Sequence, residues 1–333
     1  MNRKAFERWR LWLGAAVLVW AVGGADPEGA RAEAASRIRD HLYAAYLLSP
    51  DEAWVVGSFG AIYHTKDGGK QWEKQDGGVI DPLYAVRFVD ANEGWISGKS
   101  GLILHTTDGG TKWEKQVSGT THHLFNLTFA DNKRGIAVGD YGTVLQTADG
   151  GKTWQDRSAG VGEDVFLYAV VLHTSGKAWV VGERGTVLVS DDGGGTWHRQ
   201  ESGTESTLLG LDFADDVWGC AVGMDGTILQ SADSGRTWKA YESPVQTALY
   251  NVMLDGQIGW AVGDEGVILN SADGGKNWSL VDAPEELALY WLMGISTVPG
   301  SHGILTGSNG LVLFTKGSTV NFEARFKKRE AAE

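Results

Sequence analysis

One eight-residue motif recurs six times along the chain at nearly constant spacing, and this repeat limits the possible folds more than any other feature. The copies are Thr65–Trp72, Thr106–Trp113, Thr147–Trp154, Ser190–Trp197, Ser231–Trp238 and Ser271–Trp278. A degenerate seventh copy follows at Thr315–Phe322, where Gly317 replaces the Asp and Phe322 replaces the Trp. A period of about 40–45 residues, rich in β-branched and aromatic residues, is typical of a β-propeller with one blade per repeat.

Two further patterns each occur seven times and therefore predict seven blades. The first is a Leu followed by a large apolar residue, which we assign to strand A of each blade: Leu42-Tyr43, Leu83-Tyr84, Leu124-Phe125, Leu167-Tyr168, Leu208-Leu209, Leu249-Tyr250 and Leu289-Tyr290. The second is Gly-x-x-Gly between strands B and C, whose glycines we expect to supply the positive φ of a tight hairpin: Gly57 to Gly60, Gly98 to Gly101, Gly139 to Gly142, Gly182 to Gly185, Gly223 to Gly226, Gly263 to Gly266 and Gly307 to Gly310. The predicted fold is an all-β, seven-bladed β-propeller with four antiparallel strands per blade and the eight-residue motifs in the C–D hairpins.

The chain divides into three predicted segments. Residues 1–35 combine a basic start with a short apolar run, which favours a signal peptide and leader. Residues 36–326 form the propeller, and residues 327–333 form a charged tail. The predicted blades are 41–81, 82–122, 123–165, 166–206, 207–247, 248–287 and 288–326. We therefore expect an exported protein in a periplasm. An uncleaved leader would leave it membrane-associated.

The closure of the ring stays open at this point. Blade 1 can meet blade 7 through side chains alone, or residues 33–40 can add an outer strand to blade 7.

Charge and cysteine content exclude several kinds of partner. The chain carries a formal net charge of −13, which repels nucleic acid and anionic lipid. Cys220 is the only cysteine, so no intrachain disulfide or cysteine metal cluster can form. In the other blades its position is held by Trp or Ile, which predicts a buried strand residue. We expect no cofactor, no metal, no nucleic-acid partner, no small-molecule substrate and a monomeric state.

The repeated Ser/Thr-x-Asp-Gly-Gly-x-x-Trp is similar to the Asp box, or bacterial neuraminidase repeat. In each copy the carboxylate can accept backbone N–H groups of its own turn, the glycines allow left-handed geometry, and the Trp covers the hairpin. We assign a structural role to these pairs: Asp67 and Trp72, Asp108 and Trp113, Asp149 and Trp154, Asp192 and Trp197, Asp233 and Trp238, Asp273 and Trp278.

No catalytic motif is found in the sequence. It has no Gly-x-Ser-x-Gly, no His-Glu-x-x-His and no phosphate-binding loop. The arginines form no cluster of the kind that a sialidase needs for the sugar carboxylate. We expect a protein that is not an enzyme, with no catalytic residue. The alternative is a carbohydrate-binding or sialidase-type glycoside hydrolase propeller, suggested by the Asp boxes and the Trp content.

A partner surface is predicted where the B–C turns and D–A connections share one face. Phe59, Tyr141 and Met224 have no evident core to fill at hairpin tips, and exposed aromatic residues on an acidic rim indicate protein binding. An equally open interpretation is that they fold over neighbouring turns. The candidate partner-binding residues are Phe59, Lys99, Tyr141, Arg184, Met224 and Asp264, with Arg87 in a predicted channel-lining strand.

The full repeat pattern resembles the photosystem II stability/assembly factor family, most completely over Leu83–Trp113 in blade 2. The resemblance covers about residues 41–326. It implies a seven-bladed, lumenal or periplasmic binding protein that is not an enzyme and that assists newly made membrane proteins. The implied partner is a membrane protein or a subunit of a membrane complex. That complex would be a photosystem, or another inner-membrane complex such as an exporter where the host has none.

Overall fold

The computed structural model describes residues 38–158, 164–298, 302–323 and Phe326. The predicted signal peptide and leader and the predicted charged tail lie outside the described residues. Twenty-eight strands form seven four-stranded antiparallel sheets, with each strand bonded to its sequence neighbour. The predicted all-β, seven-bladed propeller is therefore confirmed.

Each blade uses four consecutive strands in the order A to D. In blades 1 to 4 these are β1 Leu42–Leu47, β2 Ala53–Gly57, β3 Ile62–Thr65, β4 Glu73–Lys74, β5 Leu83–Phe88, β6 Gly94–Gly98, β7 Ile103–Thr106, β8 Glu114–Gln116, β9 Leu124–Phe129, β10 Gly135–Gly139, β11 Val144–Thr147, β12 Gln155–Asp156, β13 Leu167–Leu172, β14 Ala178–Gly182, β15 Val187–Ser190 and β16 His198–Gln200. In blades 5 to 7 they are β17 Leu208–Phe213, β18 Gly219–Gly223, β19 Ile228–Ser231, β20 Lys239–Tyr241, β21 Leu249–Asp255, β22 Ile258–Gly263, β23 Ile268–Ser271, β24 Ser279–Leu280, β25 Leu292–Val298, β26 His302–Gly307, β27 Val312–Lys316 and β28 Thr319–Asn321.

Among the described residues, the one helical segment with regular backbone geometry is a short 3₁₀ turn at Glu285–Leu289. The short turns Ser58–Gly60, Lys99–Gly101, Met224–Gly226, Asp264–Gly266 and Ser308–Gly310 each contain a residue with positive φ and belong to the B–C hairpins. Within the described part of the chain, no helix has the length and apolar character needed to cross a membrane.

The core lies between blades, where aromatic side chains of strand B meet those of the next strand A. The Trp54 ring stacks on Phe88 with centroids 3.9 Å apart. The same contact joins Trp95 to Phe129 at 3.7 Å and Trp179 to Phe213 at 3.9 Å. Such pairs add about 0.5–1.5 kcal/mol beyond the burial of their area, so these stacked rings stabilise the contact between neighbouring blades. Cys220 is fully buried in strand B, as its repeat position predicts.

The ring closes by side-chain packing of blade 1 on blade 7, without a shared blade. Leu42, Leu47 and Ile304 belong to one buried cluster that joins the two blades. The Leu47 N–H also donates to Ser296 Oγ over 2.9 Å. Blade 7 ends at β28, and no strand of the described residues adds to its outer edge.

Strand A of blade 7 begins three residues later than predicted, at Leu292 instead of Leu289. Leu292 pairs with Gly307, as Leu42 pairs with Gly57 in blade 1. An additional 3₁₀ turn at Glu285–Leu289 lengthens the preceding connection and leaves Leu289 exposed, while Leu287 takes the buried position. The assignment of Leu289-Tyr290 to strand A was therefore wrong, because an insertion had moved a matching residue pair out of register.

Candidate partner-binding face

The eight-residue motifs form self-contained turns between strands C and D. In blade 6 the Ser271 hydroxyl donates to Asp273 Oδ1 over 2.8 Å, and the Asn277 N–H donates to the same oxygen over 2.8 Å. The Gly275 N–H donates to Ser271 Oγ over 2.8 Å. The Asn277 side-chain amide, with backbone N–H groups, lowers the pKa of Asp273 to about 2. The same hydrogen bond from the residue four positions later occurs in the other five motifs, so each carboxylate is committed to its own turn.

These turns also fasten neighbouring blades, so the face that carries them, here called the motif face, is occupied by internal contacts. The Trp95 indole donates to the Gly150 carbonyl of the next blade over 3.1 Å, and Gln116 Nε2 donates to the same oxygen over 3.0 Å. The Trp179 indole donates to Ser234 O over 2.8 Å. The motif face is thus chiefly structural, and the opposite face is the better candidate for a partner.

That opposite face, here called the channel-mouth face, comprises the seven B–C turns and the D–A connections. Each B–C turn has the geometry of a two-residue type I′ hairpin. In blade 1 the Ala61 N–H donates to Ser58 O over 3.0 Å, and Phe59 and Gly60 have φ of 55° and 67°. A Cβ at Gly60 would lie 2.0 Å from the Val79 carbonyl oxygen, so this position requires glycine on two grounds.

The first glycine of each Gly-x-x-Gly has a different role from the one predicted. Gly57 has φ −174°, which any residue adopts. A Cβ there would lie 1.8 Å from the His41 carbonyl oxygen, so close backbone approach and not positive φ excludes a side chain. The positive φ falls instead on the third and fourth positions of the motif.

The structure separates the predicted partner-binding residues into two groups. Phe59 and Tyr141 point outward with 63% and 56% of their surface exposed, and Arg184 holds the equivalent outward position. Lys99, Met224 and Asp264 come one residue earlier in their turns and are half-buried. Met224 is therefore not a hairpin tip. The outward position of the seven turns is held by Phe59, Ser100, Tyr141, Arg184, Asp225, Glu265 and Asn309.

Arg87 lies inside the ring and not on the face. Its guanidinium sits 5.4 Å from the centre of the Tyr46 ring, and its buried Nε has no hydrogen-bond partner among the described residues. Asp212 occupies the equivalent site of blade 5 and accepts the Leu254 N–H over 2.6 Å. Burial raises the pKa of Asp212 to about 6, and its hydrogen bonds and the charge of Arg87 oppose that rise. Part of the surface of Asp212 stays accessible to solvent. The two residues are therefore opposite charges within the ring.

A continuous aromatic arc, which sequence reasoning missed, runs along the channel-mouth face. It is defined by Trp291, Tyr43, Tyr84, Phe125, Tyr168, Phe166 and Tyr141, from blades 7, 1, 2, 3 and 4. Consecutive ring centroids lie 5.8 Å apart for Trp291–Tyr43, 6.1 Å for Tyr43–Tyr84 and 5.6 Å for Tyr84–Phe125. The aromatic second residue of strand A in blades 1 to 4 was the signal that could have revealed it.

The channel-mouth face is strongly acidic. Its B–C turns and the described D–A connections of blades 1 to 6 carry these acids: Asp76, Asp81, Asp140, Asp164, Glu183, Glu201, Glu205, Asp225, Glu242, Asp264, Glu265, Asp282, Glu285 and Glu286. Lys99, Arg157 and Arg184 are the bases in the same segments. The C–D turns of the motif face are nearly balanced, because Lys66, Lys70, Lys112, Lys152, Arg236 and Lys276 accompany their acids. The A–B turns of that face add an excess of acids, so the motif face is also acidic but less so: Asp51, Glu52, Asp90, Glu93, Asp131, Asp215 and Asp216 against Lys133, Arg134 and Lys177.

Exposed apolar side chains concentrate on the same acidic face. They are Phe59, Ile80, Val117, Tyr141 and Leu289. A cleft of about 560 Å³ opens beside Tyr141 and is lined by His122, Trp154, Asp156 and Asp164, among other residues. Among the residues that the structure describes, no group of three or more His, Cys, Asp or Glu side chains is placed to hold a metal ion.

The sequence matches the model of the family described as photosynthesis system II assembly factor YCF48. Three overlapping matches cover residues 33–118, 112–203 and 196–332. The chain belongs to the YCF48 family. No curated protein matches it significantly in sequence.

Several solved propellers share the fold of this YCF48-family chain. A structure described as YCF48 bound to D1 peptide has 22% identity and a TM-score of 0.69, covering 85% of this chain and 93% of that one. YCF48 from Cyanidioschyzon merolae has 19% identity and a TM-score of 0.68, covering 84% and 96%. The GH74 xyloglucanase from Xanthomonas campestris has 13% identity and a TM-score of 0.68, covering 86% of this chain and 53% of that one. At these identities the structures show similarity of fold alone.

Proposed function

We propose that this YCF48-family propeller is an exported, non-enzymatic binding scaffold that assists the assembly or operation of a membrane protein complex. The observation that carries the proposal is the contrast between its faces. The polar groups of the motif face are engaged in turns and in hydrogen bonds between blades, whereas the channel-mouth face presents aromatic and apolar side chains to solvent. Exposed aromatic residues surrounded by polar ones are typical of protein interfaces.

The proposed client is a subunit of a membrane complex. Family membership supports this class of client, and a fold relative has been solved with a D1 peptide. In a photosynthetic host the complex would be a photosystem, and elsewhere another inner-membrane complex such as an exporter. The carboxylates of the eight-residue motifs are each committed to a local turn, which supports a role in binding and not in catalysis.

Affinity capture from gently crosslinked native membranes tests the proposal. We expect the tagged protein to enrich one integral membrane protein or complex, identified by mass spectrometry. The double variant Phe59→Ser and Tyr141→Ser should lose most of this enrichment. Ser100 holds the same turn position in blade 2 with φ 55°, so serine is compatible with the backbone there.

Val217→Ser is the matched control, because Val217 is an exposed apolar residue in an A–B turn on the motif face. It should capture the client as the natural protein does. Equal capture by the double variant would contradict the assignment of this face, and recovery of no membrane protein would contradict the proposed function.

The cleft beside Tyr141 favours carbohydrate binding as the second candidate. Aromatic rings of Tyr141 and Trp154 stand near the carboxylates of Asp156 and Asp164, a combination suited to stacking on a sugar ring and bonding its hydroxyls. Binding on a glycan array, or glycosidase turnover by the purified protein, would support this alternative. Absence of both would remove it.

A further inference from the structure

The chemistry of the channel-mouth face also indicates which kind of client segment it takes. Resting on the proposed function, we propose that it selects a basic, apolar-rich polypeptide segment. The apolar part of that segment lies along the aromatic arc of blades 7 and 1 to 4, and its Lys or Arg side chains lie over the acids of blades 4 to 7.

The aromatic arc is a surface that can bind both apolar side chains and cations. Tyr43, Phe125, Phe166 and Trp291 are half-buried, so their rings are held by the fold while part of each stays accessible. Phe125 lies 5.5 Å from Tyr168 and 6.0 Å from Phe166, so the ring contacts continue from blade 3 to blade 4. Tyr84 and Tyr168 are buried and contribute packing to the arc, not accessible surface. Aromatic faces pack against apolar side chains and attract Lys or Arg through cation–π contact.

The arc is interrupted at blade 5, where neither of the two arc positions is aromatic, and in blade 6 only the second of them is aromatic, at Tyr250. Thr207 and Leu209 stand in blade 5, and Ala248 precedes strand A of blade 6. This is also where acids are densest. From the connection after blade 4 to the connection after blade 6 they are Glu201, Glu205, Asp225, Glu242, Asp264, Glu265, Asp282, Glu285 and Glu286, with no Lys or Arg in the same connections and B–C turns.

This distribution of charge determines which kind of polypeptide segment the channel-mouth face can bind. A surface with one sign of charge attracts and orients a partner of the opposite sign and repels its own. An acidic segment or an anionic lipid surface would meet repulsion around most of the rim. A purely apolar segment would leave the acids without a partner, whereas a segment that combines apolar and basic residues matches both halves of the face.

Two synthetic peptides test the proposal. They have the same length and the same apolar residues, but one is flanked by Lys and the other by Glu. Binding to the purified protein is measured by fluorescence anisotropy at low and high salt. We expect the Lys-flanked peptide to bind at least about tenfold more tightly, and its affinity to fall as salt screens the rim. Equal or tighter binding of the Glu-flanked peptide would overturn the proposal.

Variants assign the charge preference to named side chains. The double variant Asp225→Asn and Glu265→Gln should bind the Lys-flanked peptide about three- to tenfold more weakly, mainly through slower association. Both side chains are exposed at outward turn positions, and the new residues keep their size. Asp191→Asn, an exposed acid of the motif face, is the control and should leave binding unchanged.

A variant of the arc assigns the apolar part. Phe125→Leu keeps an apolar side chain and removes one ring, and we expect about a fivefold loss for both peptides. If it does not fold, Tyr141→Ser at the exposed end of the arc replaces it in the test. Unchanged binding in the arc variant and in the acidic double variant would overturn the proposed binding surface.

The two proposals fail separately. Capture of a membrane protein together with no preference for the Lys-flanked peptide would overturn this inference and leave the proposed function standing. A clear preference for basic peptides without any captured membrane protein would uphold the selectivity of the face and contradict the membrane-complex role. Saturable glycan binding that displaces the peptide, or self-association through this face, would overturn the inference as well.

Discussion

Two tyrosine hydroxyls in blades 1 and 2 differ in what they contact. Tyr63 Oη donates to Asp40 Oδ2 over 2.6 Å, whereas Tyr84 Oη is buried without a hydrogen-bond partner among the described residues. A buried polar group without a partner costs stability, and a hydrogen bond to a charged group contributes about 1.5–3 kcal/mol. The same chemical change at the two sites should therefore have opposite consequences.

We expect Tyr84→Phe to leave the free energy of unfolding unchanged or to raise it by up to about 1 kcal/mol, and Tyr63→Phe to lower it by about 1.5 kcal/mol. Urea unfolding followed by tryptophan fluorescence measures both. Each variant serves as the other's control, because both remove one phenolic oxygen. A larger loss for Tyr84→Phe than for Tyr63→Phe would contradict the assignment of these contacts.

At the scale of the element, the B–C turns store strain in their first central residue. Type I′ turns favour Asn or Gly at the position that Phe59 holds with φ 55°. We expect Phe59→Asn to raise the free energy of unfolding by about 0.5–1 kcal/mol while weakening partner binding. Gly60→Ala should lower it by more than about 2 kcal/mol, since its Cβ would meet a backbone oxygen. Thermal unfolding by circular dichroism compares the two. A destabilised Phe59→Asn would show that this ring contributes to packing and not only to the surface.

The elements themselves were largely predictable, because the repeat supplies seven comparisons for every position. The apolar pair of strand A, the Gly-x-x-Gly of the B–C turn and the Asp of the C–D turn recur together. A single atypical residue therefore has little effect on the assignment of a strand. The prediction was wrong where one copy departs from the rest, as at Leu289, which an inserted 3₁₀ turn carries to the surface. It also misassigned the role of Gly57, because close approach of two backbones leaves no mark in a sequence beyond the glycine itself.

At the scale of the whole molecule, the six motif carboxylates tie the ring's stability to pH. Asp67, Asp108 and Asp273 have lowered pKa values, and the largest cause is a hydrogen bond donated by the residue four positions later. The pKa of Asp273 falls to about 2. A carboxylate with a lowered folded pKa stabilises the protein above its unfolded pKa of about 3.9, and this contribution disappears as pH falls through the folded value.

We therefore expect the melting temperature to fall between pH 4 and pH 2, measured by differential scanning calorimetry. Asp273→Asn should melt below the natural protein at pH 5, and the difference should shrink toward pH 2, where the natural carboxylate is about half protonated and most of its contribution is lost. Asp191→Asn, which changes an exposed acid of the same face, should show no such convergence. A difference for Asp273→Asn that stays constant over this range would contradict the role given to its charge.

The candidate site was less predictable than the ring. The exposure of Phe59, Tyr141 and Arg184 could be predicted because a hairpin tip is a local feature, and their role in binding stays a prediction. The aromatic arc was missed because it needs one or two residues from each of five blades, and their adjacency exists only when the ring is closed. The contrast between the faces likewise depends on knowing that the motif turns of blades 2 to 6 are hydrogen-bonded to a neighbouring blade.

The outward residue of each type I′ turn meets solvent and not the interior, and seven different side chains occupy it. Mutation can therefore rewrite these positions one at a time while the blades keep their shape. A lineage of such rings can exchange one client for another without passing through misfolded ancestors. Recognition can then change from one such ring to another while the seven-bladed architecture is kept.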